Sequence, residues 1–182
     1  MFESLLISSV MLISQLPNAE PEFIQLKTQL ESYGFQVNIA IPPDLNLPKQ
    51  QDGLRRKVRK PYGMFLPMSK SIWINPIVFE LGFSQATLIH ETVHAAQYCA
   101  GNGKLKAIDL DLEPIPQALP FFKRYVDTQR QDLEKEAYTV QSQPNNYELA
   151  RSLLDQHCQV HDLTKLDFHF NSSLTALNFP RL

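Results

Sequence analysis

The sequence predicts an α+β fold in which a small, mostly antiparallel sheet at about 35–75 packs on two long helices at about 84–100 and 121–141. Three observations lead there. Apolar residues recur at helical spacing in several stretches, and two shorter stretches bounded by prolines alternate apolar with polar residues. The third is bulk: 182 residues, 43% apolar and 20% charged, make one domain of ordinary globular composition, 1–182. A net charge of -2 provides no basic coat for nucleic acid or a membrane surface.

The chain opens on MFESLLISSVMLISQLP, whose apolar run is shorter than the ~20 residues a bilayer span needs. It carries Glu3 where a secretory signal has positive charge, so it is expected to pack as a short helix and the protein to be cytoplasmic. The region 1–34 is expected to be helical throughout. In AEPEFIQLKTQLESYG, Pro21 suits a first turn, Phe23, Leu26 and Leu30 share a face, and Gly34 supplies the stop.

FQVNIAIP then alternates Phe35, Val37, Ile39 and Ile41, a strand ended by Pro42 and Pro43. A loop follows, and then a basic run, Arg55, Arg56, Lys57, Arg59 and Lys60. No aromatic platform accompanies that run, so it is read as a solvated face and no nucleic-acid partner is expected. YGMFLPMSKSIWINP looks like two short strands joined by a turn at Pro67 to Lys70, with Ile72 and Ile74 alternating. From 84 to 100 a helix is expected, capped by Ser84 and ended by a left-handed Gly101. After an extended segment, helix returns at 121–141 and again from 145, before a tail to 182. Cys99 and Cys158 are too few for a disulfide framework and are expected to be reduced and buried.

The chemistry sits in LIHETVHAAQ. On a helix, His90 and His94 project from one face a turn apart, where both imidazoles can grip one cation. Glu91 is offset by roughly 100°, too far for an obvious ligand but well placed as the general base for a water that the cation acidifies. One Zn2+ is the expected ion. A third ligand is needed, with one position left open. No histidine follows at the spacing H-E-x-x-H-x-x-G-x-x-H, because positions 97, 100 and 101 are Gln, Ala and Gly. A carboxylate from LEKEAYTVQ is the remaining source. Glu134 and Glu136 flank the apolar face made by Val126, Leu133, Ala137 and Val140 at similar offsets, so helix geometry leaves both open.

The strand KSIWINP, the helix with HETVH and the downstream Glu-x-x-Ala resemble the gluzincin metallopeptidases, in particular their compact single-domain versions, the minigluzincins. The likeness covers about 62–141. It implies a zincin-like fold and a zinc-dependent hydrolysis of peptide bonds in a peptide or protein substrate. It further implies His90, His94 and Glu134 as ligands, with Glu136 the alternative, and Glu91 as base. The strand at 72–75 becomes the edge on which a peptide lies. Many members carry Asp after the alanine, where this chain has Tyr138, so support from that Asp is missing.

A donor to the developing oxyanion is expected from Tyr138, Tyr98 or His157. QHCQVH offers a rival pair, His157 and His161, beside Cys158, and His169 carries no signal. The competing expectations are a zincin-fold binding or adaptor module without turnover, and a nucleic-acid-associated protein using the basic run.

Overall fold

A computed structural model describes residues 19–44, 60–123 and 127–158. The N-terminal apolar segment, Arg55 to Arg59, Val126, His161, His169 and the C-terminal tail lie outside them. The described residues form an α+β fold with a three-stranded mixed sheet and six helices. None of these helices is long and apolar enough to cross a membrane.

Helix α1 (Pro21–Ser32) starts on its proline and buries Phe23, Leu26 and Leu30 completely. It ends at Gly34, whose φ of 83° is open to glycine, and the Phe35 N–H returns to Leu30 O at 3.1 Å. Strand β1 (Gln36–Ile39) follows. It is shorter than expected: Phe35 and Val37 are buried, but Ile41 lies beyond the strand and is exposed. Strands β2 (Gly63–Leu66) and β3 (Ser71–Ile74) form the expected hairpin, turning through one 3₁₀ turn at Pro67–Ser69 and left-handed Lys70. Lys60, at the end of the basic run, meets Asp44 and the carbonyl of Pro42.

The sheet is mixed, not mostly antiparallel. Its order is β1-β3-β2, with β2 antiparallel to β3 and β1 parallel to it, Val37 opposite Ile72 and Ile39 opposite Ile74. The short turn forces the hairpin antiparallel. Strand β1, arriving from α1, pairs with the far edge of β3 and runs there in the same direction. The same order places β3 at the centre with both edges occupied, so it cannot offer the peptide-binding edge expected at 72–75. Among the described residues the outer edges belong to β1 and β2.

After the single turn α2 (Ile77–Glu80), helix α3 (Ser84–Ala100) runs through the middle of the core. Leu88, Ile89, Val93, Ala95 and Ala96 are fully buried, and α1, the sheet, α5 and α6 all pack on it. A helix buried on most sides must satisfy its polar groups internally. Thr87 and Thr92 do so through the carbonyls four residues back, Phe83 O at 3.0 Å and Leu88 O at 2.8 Å. Two expectations about its ends fail. Ser84 makes no cap; Phe83 holds that position without a side-chain bond. Gly101 is right-handed at φ -88°, and the left-handed residues are Asn102 and Gly103. Glycine is needed at 101 for space, since a Cβ there would lie 1.9 Å from Lys104 O.

The helix expected over 121–141 is broken. A short α4 (Leu119–Phe122) precedes α5 (Thr128–Gln141), which starts where the Asp127 carboxylate accepts the Arg130 N–H at 3.2 Å. Helix α6 (Asn146–His157) closes the described chain and buries Tyr147, Ala150, Leu153 and Leu154.

Cys99 and Cys158 are not reduced thiols: they form a disulfide with Cα atoms 5.1 Å apart. The bridge ties the last turn of α3 to the residue after α6. Spacing gave no warning, because the partners are 59 residues apart and meet only when α6 folds back onto α3. Such bonds persist chiefly in oxidising compartments, so the expectation of two reduced, buried thiols fails. With Cys158 committed to sulfur, the rival constellation around His157 loses its thiolate.

Candidate metal centre

Helix α3 carries His90 and His94 side by side, their rings 4.9 Å apart and nearly perpendicular. Helix α5 brings Glu134 against them. Its Oε2 lies 3.3 Å from His90 Nε2 and 4.0 Å from His94 Nε2. The three residues offer ligand atoms within 4.8 Å of one another. A tetrahedral cation with bonds of about 2.0–2.1 Å holds its ligands roughly 3.4 Å apart, so this donor set can hold a metal ion.

The far side of each ring is occupied. His90 Nδ1 is 3.1 Å from Gln141 Oε1, and His94 Nδ1 is 2.8 Å from Gln97 Oε1. An amide oxygen can only accept, so each contact places the proton on Nδ1 and leaves the Nε2 lone pair for a cation. Gln141 reaches His90 from α5. Neither glutamine was singled out in the sequence. Gln141 lies two turns beyond Glu134 and Gln97 one turn beyond His94, and those spacings were the available signal.

Glu136, the alternative ligand, faces elsewhere. It is 8% exposed and accepts from the Ile108 N–H at 2.9 Å, the Asp109 N–H at 2.6 Å and Gln97 Nε2 at 2.8 Å. The two glutamates do flank a buried stripe, Leu133, Ala137 and Val140. What separates them is the neighbour on each side, the histidines for Glu134 and the 108–110 backbone for Glu136.

Glu91 is 5% exposed, next to His90 and under strand β2. Burial pushes its carboxyl up to about 7, helped by the charge of Glu134 and partly offset by His90 and the Phe65 N–H. Burial also pushes His94 down to about 4, with the charge of His90 adding to it and Glu134 and Gln97 opposing. His90 shifts upward: burial is the largest influence and opposes charge, but Glu134, Glu91 and Gln141 together outweigh it. A neutral His94 keeps its lone pair available.

Strand β2 approaches Glu91 this closely only because residue 63 is glycine. A Cβ there would lie 2.4 Å from Glu91 Oε1 and 2.8 Å from both Glu91 Cγ and Thr87 Cγ2. Gly63→Ala is therefore expected to cost about 1–3 kcal/mol by overcrowding and to displace the Glu91 carboxyl. Chemical denaturation reads the first effect and any hydrolytic rate the second, while an unchanged denaturation midpoint would show that the contact relaxes freely.

His90 and Glu91 open onto a cavity of about 500 Å³ whose apolar walls include Tyr62, Phe83, Ile115, Phe121 and Tyr138. Tyr138 belongs here: its ring is 4.5 Å from His90 and stacks on Phe121 at 5.4 Å. Tyr98 and His157 do not. Tyr98 packs between Phe35 and Phe65, and both residues line a different cavity beside the disulfide. No model of a known protein family, no curated protein and no solved structure matches this chain.

Proposed function

We propose that the chain is a zinc-dependent peptidase of the zincin type, acting on a peptide or protein. The reading rests on one observation above the rest: two imidazoles and one carboxylate offer ligand atoms within 4.8 Å of one another, with a second, buried carboxyl beside them. Two imidazoles and a carboxylate form a donor set that suits Zn2+ and leaves a position open. When bound, the ion supplies Lewis acidity, polarising a carbonyl and acidifying a water.

The chain's own residues do the rest. Glu91 accepts the proton of the attacking water and delivers it to the departing amine, a role that suits a carboxyl tuned toward neutral pH. Gln97 and Gln141 hold the ring tautomers. Tyr138, against His90 at the cavity wall, is the remaining candidate donor to the carbonyl oxygen. Strand β2 has no partner strand on its outer edge among the described residues, and an extended peptide can add there beside Glu91, which already takes the Phe65 N–H.

The test is metal content with activity. Purified chain loaded with zinc and dialysed should retain one ion per molecule by mass spectrometry and cleave a quenched-fluorescent peptide library. Glu134→Ala should lose both. Failure of the wild type to retain zinc would overturn the proposal.

A further inference from the structure

We infer that Glu136 is a positioning residue: acting through Gln97, it sets which nitrogen of His94 carries the proton. The inference rests on the metal-binding part of the reading above and is independent of hydrolysis. The two ends of a carboxamide have the same shape, so Gln97 could in principle face His94 with oxygen or with nitrogen. Its surroundings decide. One end of the amide lies 3.0 Å from Leu133 O and 2.8 Å from Glu136 Oε2. A backbone carbonyl can only accept, so this end must be the NH2 group. The oxygen then faces His94 Nδ1, and that nitrogen must donate.

The reverse arrangement would be costly. Gln97 is fully buried, so no solvent would relieve an oxygen forced against Leu133 O and Glu136. It would also present an N–H to Nδ1, moving the proton to Nε2, where it would point at Glu134 and close the position to a cation. Glu136 cannot turn aside to allow this, because Ile108 N–H and Asp109 N–H hold its carboxylate. The backbone at 108–109 thus governs a ligand through two buried side chains. The same carboxylate that the sequence offered as a rival ligand orients a ligand.

Long-range proton–nitrogen correlation spectra of the metal-free, 15N-labelled chain at pH 8 test this directly. The wild type should show His94 protonated at Nδ1 with Nε2 bare. Gln97→Met, which removes the acceptor at similar volume, should move at least half of His94 to the Nε2–H form, and Glu136→Gln should move it part of the way. His90, supported by Gln141, should keep its tautomer in both variants, which a general loosening of the fold would not allow. Zinc affinity by chelator competition should fall by about 10–100-fold in Gln97→Met and less in Glu136→Gln. A wild-type His94 protonated at Nε2 would overturn the inference, as would variants that leave its tautomer unmoved. A chain with the expected tautomer that cleaves no peptide would instead count against the proposed hydrolysis alone.

Discussion

Replacing Glu91 by glutamine should lower kcat by about 10²–10⁴-fold, the usual contribution of a general base, while zinc stays at one ion per chain. The separation is the informative part. Glu91 is not among the atoms that converge on the cation position, and glutamine preserves its shape, so the ligands should hold their places. Glutamine cannot take a proton from water. A chain that only binds partners through this fold would lose nothing in the variant, and equal activity in the two proteins would sink the catalytic assignment.

The same substitution carries a pH signature in the metal-free chain. The Glu91 carboxyl is raised by burial from 4.5 to about 7, so the fold prefers its protonated form. Its contribution to stability is complete below about 4.5 and is lost as pH rises through about 7. Glutamine, neutral at every pH, should remove that loss: denaturation midpoints of Glu91→Gln should fall less than those of the wild type between pH 5 and 8. For activity the sign is opposite, since the base must be ionised. The rate should rise with pH along an acid limb, set below 7 once a cation sits beside the carboxyl.

Breaking the Cys99–Cys158 bridge should destabilise the chain by about 4 kcal/mol, the loop-closure entropy for a ring of this size. The cross-link joins residues 59 apart and encloses α4, α5 and α6. Glu134, Tyr138 and Gln141 all lie inside that loop, whereas His90, Glu91 and His94 lie just before it. Opening the bridge therefore frees the half of the site that α5 contributes. Urea denaturation of the wild type, with and without a dithiol reductant, and of Cys99→Ala/Cys158→Ala, should show the midpoint drop, with a somewhat steeper slope because the opened denatured chain exposes more surface. Zinc affinity should weaken in the same samples. An unchanged midpoint would mean that packing of α6 on α3 already supplies the constraint.

Much of the fold's local character was legible. Phe23, Leu26 and Leu30 announced α1, Gly34 its stop, and Pro67 to Lys70 the hairpin turn. The failures came where a neighbour, not a local preference, decided. Helix 121–141 broke because Asp127 caps a new start at Thr128. Tyr98 has the right spacing from His94 but packs with Phe35 and Phe65, and β3 lost its edge because β1 came to pair with it.

What the sequence determined by itself is the trio His90, Glu91 and His94, because their relation depends only on the pitch of one helix. What tertiary structure decided is everything that completes the trio. A helix's periodicity gives an angle about its own axis but not what stands at that angle. Glu134 and Glu136 are near mirror images about the stripe of Leu133, Ala137 and Val140. Only the packing of α5 between α3 and the 108–110 backbone turns one toward the imidazoles and gives the other to Gln97. The disulfide has the same cause, since contact between residues far apart in sequence exists only once the elements carrying them have docked.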